Sequence, residues 1–159
     1  MNTDLMFSSA TDDWATPQDF FDKLNREFKF EVDVCASASN AKAQTFFDKD
    51  VNGLLQDWRG VCWMNPPYGR GIDAWMRKAY ASARENGATV VCLVPARTDT
   101  KWWHDYAARG EVFFVPGRLR FGDAKHNAPF PCAVVVFRPQ VAHAFEAEQC
   151  TALTTKDST

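Results

Sequence analysis

The chain has no long apolar run, no block of like charge, no internal repeat and no linker-like stretch. The first lack excludes a membrane-spanning helix, which needs roughly 20 consecutive apolar residues. No secretory leader is recognisable either, so a soluble, cytoplasmic protein with no membrane partner is expected. Lys and Arg number 18 against 20 Asp and Glu, a formal net charge of -2. A bulk basic nucleic-acid binder is therefore excluded, and any positive face has to come from how charge is distributed. The five cysteines are scattered, and no Cys/His pair has zinc spacing, so no metal is expected. Cys62, Cys92 and Cys132 sit in or beside apolar runs and read as small buried hydrophobes.

What is present is apolar and aromatic. At 46% hydrophobic and 14% aromatic, with 6 Trp and 13 Phe, the 159 residues can bury one real core and read as one domain. Residues 1–12 lack periodicity and read as a mobile arm, 13–149 as the single domain, and 150–159 as a disordered tail.

Along the chain, Thr16-Pro17 is a helix-start signal, with Thr16 as N-cap and Pro17 at the first helical position. Phe20, Phe21, Leu24 and Phe28 recur at helical spacing, predicting a helix over 17–28. Residues 30–35 read as the first strand, with the charged Asp33 near its end, where it needs a partner or a ligand. Cys35-Ala36-Ser37-Ala38-Ser39 then lets backbone approach a ligand closely, and Asn40-Ala41-Lys42 reads as opening a short helix. Asp48, Asp50 and Asp57 are either solvated loop carboxylates or partners for ligand hydroxyls. Residues 61–64 and 89–94 are apolar runs of the buried parallel type, joined by a helix with Ile72, Trp75, Met76, Ala79 and Ala83 on one face. That is a βαβ unit. Residues 102–108 read as a helix and 111–115 as a strand. Residues 118–121 read as a short extended segment and 133–137 as a last, antiparallel strand in an edge hairpin.

Between the βαβ strands lies Asn65-Pro66-Pro67-Tyr68-Gly69. Two prolines end the preceding strand because neither donates a ladder hydrogen bond, which holds Asn65 and Tyr68 just past a strand's carboxyl end, where open α/β sheets bind ligands. The residue types suit an exocyclic amine on an aromatic base. Its lone pair is delocalised, so acceptors on its two N–H groups favour a pyramidal nitrogen and stabilise developing positive charge. The Asn65 side-chain oxygen and the Pro66 carbonyl are such acceptors, and Tyr68 offers a face for stacking. No strong base is required. As plain structure, the same residues make a proline turn with a half-buried tyrosine.

Asn65-Pro66-Pro67-Tyr68 is a variant of the [D/N/S]-P-P-[Y/F/W] motif of S-adenosylmethionine-dependent amino methyltransferases. The span 13–139 resembles the phage and prophage DNA N6-adenine methyltransferases, the Dam-type family. The resemblance is carried by Asp13-Trp14-Ala15-Thr16-Pro17, Asp33-Val34-Cys35-Ala36 with Asn40-Ala41-Lys42, Gly53-Leu54 with Asp57-Trp58, and Asn65-Pro66-Pro67-Tyr68-Gly69. Pro95-Ala96-Arg97-Thr98-Asp99-Thr100 with Trp102-Trp103, and Gly117-Arg118-Leu119 with Phe121, continue it. It implies an α/β, Rossmann-like methyltransferase core with a mostly parallel sheet, and S-adenosyl-L-methionine as cofactor. It implies Asn65, Pro66 and Tyr68 as the catalytic N6 site, and Thr16, Asp33 and Asp57 as cofactor contacts. One departure stands out. The wider superfamily has a Gly-rich turn after the first strand, and residues 35–39 contain no glycine.

The expected partner is DNA with a flipped adenine, in a bacterial host's cytoplasm if the gene is a phage's. Recognition has to come from loops: Arg70, Arg97, Lys101, Arg118, Arg120, Lys125 and His126 follow strands or flank helices and suit phosphate contacts. Phe130 reads as a stacking or wedge residue, or as core. Two other functions use the same motif or fold: methylation of another planar amine or amide (RNA adenine, protein glutamine), and a non-catalytic nucleic-acid-binding module. Oligomeric state is not legible.

Overall fold

A computed structural model of the chain describes residues 14–140. The arm at 1–12 and the tail at 150–159 lie outside the described residues. The described elements are α1 (Gln18–Phe28), β1 (Val32–Asp33), β2 (Thr45–Phe46), a single tight helical turn (Gly53–Leu55), β3 (Val61–Met64) and α2 (Ile72–Glu85). They continue with β4 (Thr89–Pro95), α3 (Lys101–Asp105), a second tight turn (Ala107–Arg109), β5 (Glu111–Phe114) and β6 (Cys132–Phe137). The strands form one sheet of order β2-β1-β3-β4-β6-β5. β2, β1, β3 and β4 are mutually parallel, and β6 runs antiparallel to both β4 and β5. This is a mixed α/β fold of Rossmann-like type. No helix among the described residues is long and apolar enough to cross a membrane.

The centre of the sheet follows from composition. In β4 every residue after Thr89 is buried, as are all six of β6. Continuous apolar runs are stable only where neighbours cover both faces and both edges. Between β3 and β4, α2 buries Ile72, Met76, Ala79 and Ala83, spaced at helical period. On α1, the ring of Phe21 packs edge-on against Trp63 of β3 at 5.3 Å. Burial pushes the Cys62 thiol up to about 12 and the Cys132 thiol up to about 11, which keeps both protonated and inert.

The antiparallel hairpin is present at the sheet edge, but its last strand is not the outermost one. β6 slots between β4 and β5, and β5 takes the edge. The reason is burial: β6 has six buried positions to cover, whereas Glu111, Phe113 and Phe114 of β5 are exposed. The β5–β6 connection is long, and it lies at the carboxyl end of the parallel strands because Pro95 pairs with Cys132 and Phe114 with Ala133. Within it, residues 118–121 form no strand, although Phe121 is buried and Arg118 and Arg120 are exposed. β1 is shorter than the run 30–35. Its ladder with β3 is continued by Glu31 N–H to Val61 O and Val34 N–H to Trp63 O, and Asp33 then takes the N–H of Cys35 and turns the chain away. Residues 40–42 form turns and bends, not a helix, and β2 was not anticipated. The helical stretch after β4 is split into α3 and the tight turn at 107–109.

Candidate active site

The carboxyl ends of β1, β3 and β4 open onto two adjoining regions. One is a cavity of about 510 Å³. Its lining includes Thr16, Asp33, residues 35–38, Asp48, Asp50, Gly53, Trp63, Asn65 and Trp75. A volume of this size suits a nucleoside-sized ligand.

Hydrogen bonds from side chains, and not glycine, shape the cavity's loop. Asp33, only 2% exposed, accepts from Cys35 N–H at 3.3 Å through one oxygen and from Lys42 N–H at 3.0 Å through the other. Asn40 Oδ1 accepts from Ser37 N–H at 2.7 Å. The N–H groups of Cys35, Ala36, Ser37, Asn40, Ala41 and Lys42 thus all have acceptors, and none of residues 35–39 has a positive φ that would call for glycine. Burial raises the Asp33 carboxyl to about 6 against the stabilising pull of those two N–H groups and Lys42. Across the cavity, Asp48 Oδ1 accepts from the N–H groups of Asp50 and Val51, both at 3.0 Å. Asn52 sits at φ 56 and caps Leu54 N–H, introducing Gly53. A Cβ on Gly53 would lie 2.1 Å from Val34 O and 3.2 Å from the Trp75 ring, so this glycine is required by close approach of backbone to backbone.

The second region is built on the Asn65–Tyr68 loop. Asn65 Nδ2 donates to Trp14 O at 2.6 Å and to Thr16 Oγ1 at 3.0 Å. The Trp14 carbonyl is acceptor-only, so the amide orientation is set: Oδ1 faces the other way, where Tyr68 O–H reaches it at 2.7 Å. The same hydroxyl lies 3.0 Å from Leu93 O in β4. Burial pushes the Tyr68 phenol well above its ordinary value, so it stays a donor.

Two sequence expectations change here. Thr16 is not the helix N-cap. Pro17 occupies that place without a side-chain bond, and Thr16, 4% exposed, turns to Asn65 instead. Tyr68 does not present an open face, being 4% exposed. Trp14 lies nearly parallel to it at 6.5 Å between centroids, and Phe121 and Phe130 meet it edge-on at 5.9 and 5.5 Å. Phe130 is thus core, with the Arg97 guanidinium 5.9 Å above its ring.

Thr16, Asp33 and Asn65 all line the cavity, as does Pro67, whose neighbour Pro66 is buried beneath. Asp57 does not. It is exposed, 3.8 Å from Arg59, on the segment leading into the amino end of β3. Of the basic residues, Arg70 follows β3, Arg97 follows β4, Lys101 opens α3, and Arg118 and Lys125 lie in the β5–β6 connection. Strand direction puts all five at the carboxyl end of the parallel strands. Arg70, Arg118 and Lys125 are exposed; Lys101 is exposed but paired with Asp105, and Arg97 is half-buried, which lowers its pKa. Sequence reasoning passed over Trp14 and the steric role of Gly53. The signal for Trp14 was its place two residues before Thr16, but its meaning depends on a contact 51 residues away.

A mixed α/β sheet with a ligand-sized cavity and a polar Asn-Pro-Pro-Tyr loop at its strands' carboxyl ends belongs to the class of open α/β proteins that bind ligands at that end of the sheet. Comparison with known proteins names the family. The model of the DNA N-6-adenine-methyltransferase (Dam) family matches residues 5–157, and the chain belongs to that family. It is 33% identical over 146 residues to the DNA N-6-adenine-methyltransferase of Haemophilus phage HP1 (strain HP1c1), covering 85% of this chain and 83% of that protein. It is 30% identical over 98 residues to the DNA N-6-adenine-methyltransferase of Escherichia phage T1, covering 60% of this chain and 40% of that protein.

Proposed function

We propose that the protein transfers a methyl group from S-adenosyl-L-methionine to the N6 amino group of adenine in DNA, on an S-adenosylmethionine-dependent methyltransferase core. The observation that carries the reading is the set orientation of Asn65, whose Oδ1 faces the acceptor side beside a cavity large enough for the cofactor.

The cavity's chemistry fits that cofactor. Asp33, Asp48 and Asp50 offer negative charge and hydroxyl acceptors, Lys42 and Lys49 offer positive charge, and Phe47, Trp63 and Trp75 offer ring faces. A ligand bearing a sulfonium, an amino-acid zwitterion, a ribose and a purine needs those groups. Thr16 and Asp33 would hold it, with Asp48 or Asp50 on the ribose; Asp57, set apart from the cavity, is a weaker candidate. When bound, S-adenosylmethionine supplies an electrophilic methyl group.

The chain's own part is to bind, orient and exclude water. Asn65 Oδ1 keeps a lone pair beyond its bond from Tyr68, and that lone pair accepts an N6–H of the target. The Pro66 carbonyl accepts the other. As the new C–N bond formed and the methyl group's bond to the sulfonium sulfur broke, its electron pair staying on sulfur, the nitrogen would become positive, both acceptors would stabilise it, and the surplus proton would pass to water. The target must leave the DNA stack to reach Asn65. It reaches the Tyr68 ring only if Trp14, Phe121 or Phe130 moves, so the acceptor side opens on binding DNA. Arg70, Arg97, Lys101, Arg118 and Lys125 supply phosphate contacts around it.

Incubation with methyl-labelled S-adenosylmethionine and unmethylated DNA tests this. Label recovered as N6-methyladenine in DNA is the expected result. Label found only in RNA or protein would move the reading to another planar amine or amide, and absence of calorimetric cofactor binding would leave a non-catalytic module.

A further inference from the structure

We infer that Thr16 is a positioning residue for Asn65, tying what fills the cavity to the aim of the acceptor-side amide. The inference deepens the proposed function and rests on it. Thr16 and Asn65 are 49 residues apart in sequence, and the bond between them is made at the boundary of the two regions. Both residues line the cavity.

The direction of each proton carries the argument. Asn65 Nδ2 has two hydrogens, one on Trp14 O at 2.6 Å and one on Thr16 Oγ1 at 3.0 Å. A threonine hydroxyl can accept or donate. Here it accepts, so its own proton points away from Asn65. With Thr16 4% exposed and on the cavity wall, the cavity is where a partner for that proton can come from. A ligand oxygen there takes the proton, polarises Oγ1 and strengthens its hold on Nδ2. Without that partner the hydroxyl proton has no fixed direction, and Oγ1 holds Nδ2 less firmly. The result is a chain of groups: cavity ligand, Thr16 O–H, Asn65 amide, Tyr68 O–H. Occupying the cavity therefore stiffens the amide that must meet the target amine, and by linkage an engaged acceptor side tightens the cavity.

The geometry also accounts for asparagine over aspartate at the head of the loop. A carboxylate at position 65 would bring an oxygen to within hydrogen-bonding distance of the Trp14 carbonyl, two acceptors with no proton between them.

The test combines kinetics with a signal that does not depend on turnover. Thr16→Val keeps the shape and removes the oxygen. With cofactor and DNA both saturating, its kcat should fall about 10- to 100-fold, the scale of a misaimed catalytic group, and Thr16→Ser should recover most of the loss. Titrating S-adenosylhomocysteine into the wild-type protein should shift the side-chain amide resonances of Asn65, and the shift at saturation should be smaller in Thr16→Val and restored in Thr16→Ser. If Thr16→Val regains full kcat once cofactor saturates, only its KM having risen, Thr16 is a binding contact alone and the inference fails. If Thr16→Val does not fold, the wild-type titration decides: an Asn65 amide unmoved by ligand overturns the coupling. Absence of methyl transfer to DNA by the wild type would instead sink the proposed function, while the amide titration would still report on the coupling.

Discussion

The two halves of the site are built on opposite plans. The cavity half is open and polar, and it is already shaped: Asp33, Asn40 and Asp48 hold its loops through backbone N–H groups. The acceptor half is closed and aromatic. Its motif tyrosine lies under Trp14, Phe121 and Phe130, and its asparagine is bonded on both ends. A small soluble ligand can enter a preformed cavity directly. Extruding a base held in a duplex costs a few kcal/mol, and on the proposed function a site closed at rest would keep the Tyr68 ring out of water until DNA arrived. On the proposed function, the difference predicts that the cofactor binds the resting protein with little rearrangement and that DNA binding includes an opening step.

The largest way to break this contrast is Asn65→Ala. Turnover should drop by about 10²- to 10³-fold or more, while calorimetry finds cofactor affinity largely intact; equal losses in both would mean the halves are not separable. Next is Asp33→Asn, which leaves one amide oxygen as acceptor and sets an NH2 against the other loop N–H. It should cost ~1–3 kcal/mol in stability and weaken cofactor binding, with turnover recovering as cofactor saturates.

The same carboxyl sets a pH test. Asp33 titrates at about 6 when folded, against 3.8 as the ordinary value. The folded protein thus holds that proton more tightly, and this group's contribution to stability improves as pH falls from about 6 toward 4. Cofactor binding should go the other way, because a cationic ligand prefers the carboxylate. Affinity measured by calorimetry should fall as pH drops through 6, and the fall should be absent in Asp33→Asn.

Trp14→Ala sharpens the acceptor side. It uncovers Tyr68 while leaving the backbone carbonyl that holds Asn65. Capture of a target-site 2-aminopurine, followed by its fluorescence, should become faster in this variant; an unchanged rate would show that Trp14 is not part of the cover. The smallest effects belong to the exposed basic residues. Lys125→Ala and Arg118→Ala should each reduce the salt dependence of DNA affinity by about one phosphate contact, with no change in cofactor affinity.

Much of the fold was legible because its central unit is local in sequence. The β3–α2–β4 segment has a strand period, a helix period and proline punctuation in uninterrupted order, and the observed bounds at 61–64, 72–85 and 89–95 follow them closely. The place of Asn65-Pro66-Pro67-Tyr68 just past β3 was legible for the same reason. β2 was not, since two residues pairing with β1 leave no periodicity to detect. Thr16 misled because its best local partner, the helix N-terminus, lost to a partner that only folding brings near. Asp57 comes before β3 and so lies toward its amino end, away from the cavity, a signal already carried by the order of the strand in the sequence.

By itself, then, the sequence determined the parallel centre and the position of the Asn65–Tyr68 loop at a strand's end. Periodicity and proline geometry act over a few residues, and a few residues suffice for those. Tertiary structure alone decided that β6 lies inside β5, and with it that Arg118, Lys125 and Phe130 come to the same end of the sheet as Asn65. It alone closed the aromatic cover over Tyr68 and set Asn65 between Trp14, Thr16 and Tyr68. Those outcomes depend on which buried strand needs two neighbours and which buried polar group needs a partner, and both are satisfied only between distant parts of the chain.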